Sequence, residues 1–296
     1  GVVNGGNKFS KGDLIMRKVL LATTALVAVS GITAANAADL DITGNYEWEY
    51  TTNDAGTTFG DDGHITFTAV HADENGMTWT AQQKLGGGSD AVESGGASII
   101  NVNQAFVQVE GEFGKIQFGD AENSAAQILS SPLGRNQDIE TQVALGSADT
   151  RAGFIGGAAD ITWYSPNMSG FQIGVSKDLT DADAVTTDGQ TDFGIKYSMA
   201  GATVYYGAAE DTASAGVSAS VAGFKIGVGT RKVDGSNAKA NDVGISYTLA
   251  NGIKIAALSA NGTDAAGVKT KASNFGASYA IADGVKLNAE TGKVGT

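Results

Sequence analysis

Residues 191–210 read TDFGIKYSMAGATVYYGAAE. Phe193, Ile195, Tyr197 and Met199 alternate with Asp192, Gly194, Lys196 and Ser198. Successive side chains of a strand point to opposite faces, so the spacing predicts a strand with one apolar and one polar face. Ala200-Gly201 then supplies a turn, and a second strand follows over 202–210. Two strands joined by so short a turn must pair antiparallel.

Working outward from this hairpin, the same period of two runs from residue 40 to the end of the chain. Ile42, Tyr46, Trp48 and Tyr50 share one face, and Thr43, Asn45, Glu47 and Glu49 share the other. The pattern returns at Phe171-Ile173-Val175, Phe224-Ile226-Val228, Val243-Ile245-Tyr247, Phe275-Ala277-Tyr279 and Val285-Leu287-Ala289. About fifteen strands are predicted: 40–51, 64–73, 77–86, 99–110, 115–121, 159–165, 171–179, 191–199, 202–210, 215–222, 224–233, 241–250, 253–261, 272–282 and 285–294. Helical periodicity is absent outside the N-terminal region. Tight glycine turns (Asn75-Gly76, Ser169-Gly170, Ala222-Gly223, Asn251-Gly252, Asp283-Gly284) alternate with longer polar loops near 51–63, 86–98, 180–190, 211–215, 234–241 and 262–272. Short turns at one end and long loops at the other is the pattern of transmembrane β-barrels.

Alternation alone fits a soluble sandwich or solenoid equally well. Two features favour a membrane barrel. Aromatics sit near strand ends (Trp48, Tyr50, Trp79, Phe113, Phe118, Trp163, Tyr164, Tyr205, Tyr206), as interfacial girdles require. The polar faces are small, polar or charged throughout, which suits a water-filled lumen better than a packed core. A bacterial barrel of this kind has an even number of strands, and the chain ends at Gly295-Thr296 without a terminal aromatic. The expected fold is therefore an all-β, antiparallel transmembrane barrel of sixteen-strand type, truncated by about one C-terminal strand.

Composition bounds the function. The chain has 296 residues, 42 Gly, 2 Pro and no Cys, with a formal net charge of −13. So acidic a chain is a poor nucleic-acid binder, because phosphate contact needs a basic surface. Without Cys there is no disulfide framework and no thiolate metal centre. Residues 16–37, MRKVLLATTALVAVSGITAANA, read as a secretory signal: Arg17 and Lys18, an apolar stretch, then Ala35-Asn36-Ala37 for cleavage. Residues 1–15 fit no part of such a signal and are expected to be translated leader. Removing residues 1–37 takes away four basic and one acidic side chains, leaving −16 over 38–296.

The stretch ITWYSPNMSGFQIGVS, residues 161–176, resembles a hairpin of the Gram-negative general porins through Tyr164, Ser165, Pro166, Gly170, Phe171, Gly174 and Ser176. Residues 107–120, VQVEGEFGKIQFGD, are similar to that family's strand–turn–strand before its long third loop. The resemblance implies passive diffusion of small hydrophilic solutes and ions through a homotrimeric channel among outer-membrane lipid and lipopolysaccharide. It also implies that residues 121–158 fold inward as a constriction. Glu122, Asp138, Glu140 and Asp149 would then stand there with Arg135 and Arg151. Strand parity puts Lys84, Lys115, Lys196, Lys225, Arg231, Lys254 and Lys286 on the polar face, where they would form a basic wall opposite. Such a field sets ion preference, and the carboxylate excess predicts mild preference for cations.

No catalytic constellation stands out. His64 and His71 are too few for a metal centre, and Gly86-Gly-Gly-Ser lacks the lysine of a phosphate loop. No cofactor is expected, although Asp181, Asp183 and Asp188 are weak candidates for a structural Ca²⁺. The rival readings are an outer-membrane barrel enzyme or adhesin, and a soluble secreted β-rich binding protein.

Overall fold

The computed structural model describes residues 21–24, 39–53, 56–86, 101–120, 124–129, 148–150, 154, 160–179 and 189–295. Among the described residues sixteen strands form one antiparallel sheet: β1 Leu21–Thr24, β2 Asp39–Asn53, β3 Gly56–Ala72, β4 Thr78–Gly86, β5 Asn101–Gly111, β6 Gly114–Asp120, β7 Ile161–Tyr164, β8 Phe171–Lys177, β9 Thr191–Met199, β10 Ala202–Ala209, β11 Thr212–Val221, β12 Phe224–Val233, β13 Lys239–Thr248, β14 Lys254–Thr263, β15 Lys269–Ala282 and β16 Val285–Gly295. From β2 to β16 each strand pairs with the next in sequence. β1 pairs with β16, Leu21 opposite Asn288, and also lies beside β2. No ladder joins β1 to β2, but the two edges of the sheet come together there, and the sheet curls in the manner of a barrel whose backbone groups are satisfied between neighbouring strands.

All fifteen predicted segments are strands. Three expectations need correction. Residues 51–63, expected as a loop, are mostly strand, because β2 and β3 pair as far as Asn53 opposite Gly56. The 211–215 loop shrinks likewise, since β11 begins at Thr212. A short helix, α1 Ala125–Leu129, follows β6 where no helical pattern was legible.

What is buried shows what kind of barrel this is. Among the largest fully buried side chains are Thr150, Asp178, Asp192, Ser176 and Ser214. Phe59, Met199, Val221 and Phe275 are all more than half exposed. An inside that is polar and an outside that is apolar is the reverse of a soluble protein, and is what lipid outside and water within demand. Phe224 and Tyr247 stack at 4.5 Å on the outer face near the turns, and Phe193 and Tyr206 meet at 5.9 Å. Trp163 Nε1 donates to the Phe113 carbonyl at 3.1 Å. Tyr164 and Tyr205 leave the predicted girdle: they face inward and are 3% and 5% exposed. Their register partners Lys115 and Lys196 carry them onto the polar face.

The hairpins at one end are held by glycines that nothing else could replace. Gly114 (φ 95°) and Gly170 (φ 93°) have left-handed backbones. An added Cβ would overlap the carbonyl of Tyr164 at the first and that of Ser198 at the second.

Candidate functional site

The lumen is narrowed by chain that follows β6 and packs against the inner wall at two places. At the first, the Ser124 hydroxyl accepts the Gln127 N–H at 3.4 Å, at the start of α1. The Ala125 N–H donates to Ser176 Oγ on β8 at 2.8 Å, and the Ala126 N–H donates to Asp192 Oδ1 on β9 at 3.3 Å. Ser176 also bonds Thr162 on β7 at 2.8 Å. Helix N–H groups carry no internal partner and a partial positive charge, so hydroxyl and carboxylate acceptors on the wall suit them. Beside these acceptors Gly174, Gly194 and Gly207 stand side by side across β8, β9 and β10. That row projects no side chain, which lets backbone come close to the wall.

At the second place, the Thr150 hydroxyl donates to Asp242 Oδ2 on β13 at 2.6 Å. Ala148 packs with Leu258 and Ala260 of β14 and Ala272 of β15, all buried. Asp149, between these contacts, is the carboxylate acting on the Arg231 guanidinium of β12. Both anchorages lie toward the long-loop end of the barrel. Chain at 124–129 and at 148–150 thus takes up part of the open cross-section there.

The basic residues picked by parity share the inward face. Lys84 pairs with Thr66 and Gln104. Lys115 lies over the Tyr164 ring at 4.6 Å and stands opposite Glu110. Lys196 neighbours Tyr205 and Gln172, Lys225 neighbours Ser220 and Ser246, and Arg231 neighbours Ser214 and Ala240. Lys254 and Lys286 lie near the short turns on β14 and β16. Of the loop charges, Asp149 is brought to this wall. Glu122, Arg135, Asp138, Glu140 and Arg151 lie outside the described residues, as do Asp181, Asp183 and Asp188.

Sequence reasoning missed the wall residues that do the anchoring: Ser176, Asp192 and Asp242. Asp192 was legible only as one polar member of an alternating strand. A carboxylate on the small-residue face at the loop end of a strand, with glycine two positions on, was the available signal: Asp192-Phe193-Gly194 and Asp242-Val243-Gly244 both show it. Tyr205 was misplaced for a related reason. Its ring lies over Gly216 of β11, where a Cβ would overlap it, and its hydroxyl donates to the Val228 carbonyl of β12 at 3.1 Å.

A barrel with a polar lumen, charged on its walls and narrowed by an inward segment, passes hydrated solutes and ions; among the described residues it presents no nucleophile–base pair. A family model described as Gram-negative porin matches residues 22–296. The chain belongs to the Gram-negative porin family. The porin is accordingly a diffusion channel of the outer membrane and not an enzyme. A mutant of the Rh. blastica porin superposes with a TM-score of 0.63 at 13% identity, covering 95% of this chain and 99% of that one. The anion-selective porin from Comamonas acidovorans gives 0.63 at 15% identity, covering 96% and 99%. These likenesses speak for the fold. A search of curated proteins found no match.

Proposed function

We propose that this porin conducts small hydrophilic solutes and inorganic ions with a mild preference for cations, as a homotrimer set among lipopolysaccharide. The observation that carries the reading is the anchorage of Thr150 on Asp242, which holds Asp149 at the wall beside Arg231. Glu122, Asp138 and Glu140, with Arg135 and Arg151, complete the constriction in this reading, and Lys84, Lys115, Lys196 and Lys225 form the facing wall. Acid against base across a narrow passage orients dipolar solutes and biases ion entry. The net charge of −13 supports a cation bias. The Comamonas relative is named as anion-selective, so the sign must come from lumen side chains and not from the barrel. The test is the reversal potential of the full-length protein in a planar bilayer under a KCl gradient. A cation-side potential with stepwise closures in threes is expected. Clear anion selectivity would overturn the cation bias.

Residues 16–37, which include β1 (Leu21–Thr24), are proposed to direct export and to be removed, leaving a mature chain from about Ala38 that keeps strands β2 to β16. The basic n-region and the Ala35-Asn36-Ala37 site support this.

A further inference from the structure

The inward charges of the described strands are sorted by height in the barrel as well as by side. Counted along each strand from its short-turn end, the lysines come first. Lys225 is the second residue of β12, Lys254 the first of β14 and Lys286 the second of β16. Lys196 lies three residues before the end of β9. Across β9 to β16, no inward position within four residues of the short-turn end holds Asp or Glu. Acids at this height are confined to β2 and β5: Asp39, Asp41 and Glu110, the last opposite Lys115.

Nearer the long loops the sign reverses. Glu47 and Glu49 of β2, Asp62 of β3, Asp192 of β9 and Asp242 of β13 face inward there, against Lys84 and Arg231. Glu290 of β16 lies between the two levels. The lumen is therefore polar along its axis, acidic toward the long loops and basic toward the short turns.

The basic end is also the accessible one. Asp192 and Asp242 are buried, whereas Lys196, Lys254 and Lys286 are half-buried and Lys225 is exposed. Lys254, Ser278 and Asn288 stand in one register row, and Lys286 is one inward step closer to the turn. The Lys286 charge acts on Lys254. Like charges held side by side cost stability, and an anion seated between them removes that cost. Hydroxyls fill neighbouring positions: Ser220 and Ser246 flank Lys225, and Ser198 bonds Thr203 at 2.9 Å beside Lys196. A concave wall of one sign backed by low-dielectric lipid focuses its field into the opening and concentrates counter-ions. Multivalent oxyanions gain most, because the attraction grows with charge and ammonium–oxyanion hydrogen bonds are strong.

We propose that the short-turn mouth of the lumen is a binding site for small multivalent oxyanions, phosphorylated or polycarboxylated solutes, which dock from that end of the pore alone. The proposal rests on the channel reading, under which this mouth faces the periplasm. It is separate from the cation bias, which concerns the constriction. A docked anion narrows the mouth and cancels part of its field, so occupancy changes the current carried at one sign of voltage more than at the other.

The experiment is single-channel recording of the full-length porin in a planar bilayer in dilute KCl, with sodium tripolyphosphate added first to one side and then to the other. From one side tripolyphosphate should interrupt the current, and from the other it should need roughly tenfold more. Lys254→Gln together with Lys286→Gln should weaken the sided block roughly tenfold, and Lys225→Gln alone severalfold. Lys254→Arg with Lys286→Arg should keep it, as should Lys232→Gln, which removes an exposed outward lysine. Concentrated KCl should abolish the block by screening. Conductance in KCl without tripolyphosphate shows that each variant forms an open barrel. Equal block from the two sides, undiminished block in the Lys→Gln variants, equal loss in Lys232→Gln, or block that persists in concentrated KCl would overturn the proposal. Absence of any KCl conductance from the unsubstituted protein would instead refute the channel reading, and the proposal with it.

Discussion

Thr150→Val removes the hydroxyl that ties the inward segment to Asp242 while keeping the shape of the side chain. The bond is short, 2.6 Å, buried, and accepted by a carboxylate. A hydrogen bond to a charged group is worth about 1.5–3 kcal/mol. At about 1.4 kcal/mol per decade, its loss raises the detached population of this anchorage by roughly 10- to 150-fold. Ala148 keeps its contact with Leu258, Ala260 and Ala272, so the segment should loosen without leaving the wall. The assay is single-channel recording in a planar bilayer. Thr150→Val should show excess open-channel noise and new conductance substates. Thr150→Ser, which keeps the donor, should behave like the unsubstituted protein. Identical noise and conductance in Thr150→Val would refute the claim that this bond holds the constriction.

Other consequences can be checked independently. Gly216→Ala places a methyl where the Tyr205 ring lies, and overpacking of that kind costs about 1–3 kcal/mol; the thermal midpoint of the detergent-solubilised barrel should fall. Asp73 accepts the N–H groups of Asn75 and Met77 at 2.9 Å each in the first short turn, which holds its carboxyl below the usual range. A depressed folded value contributes stability that is present above the unfolded pKa and is lost as pH falls through the folded one. The difference in melting temperature between the unsubstituted porin and Asp73→Asn should therefore be constant near neutrality and shrink below about pH 4. Edman sequencing of the porin extracted from outer membranes should start near Ala38; a start upstream of Met16 would remove the export reading of residues 16–37.

The fold was legible because a strand with lipid on one side and water on the other writes its period into every second residue. Phe193-Ile195-Tyr197 and Val243-Ile245-Tyr247 could hardly have been read another way. The site was harder to read, because its parts come from distant segments and use residue types with no motif. Ser176 and Asp192 meet α1 across 51 and 66 residues, and Asp242 meets Thr150 across 92. Parity alone placed Lys196 and Arg231 inward, but it could not say that Asp149 would lie by one of them. At Tyr164 and Tyr205 it was residue type that misled: it argued for a membrane girdle, while position in the strand argued for the lumen. Position decided it, since turning either ring outward would slip the register and reverse the whole strand.

The same alternation explains how a barrel can share a fold with porins at 13–15% identity. The lipid face asks only for apolar bulk, and the turns ask for glycine at a few positive-φ sites. The lumen face asks for smallness where the inward segment must approach, as at Gly174, Gly194 and Gly207. Nothing in those demands fixes the sign of a wall charge. Lys225, between Ser220 and Ser246, could be replaced by Glu without disturbing Phe224 or Ile226 on the other face. Selectivity can therefore change while the fold stands still. The residues that cannot change freely are the few that join wall to segment, of which Asp192 and Asp242 are the clearest here.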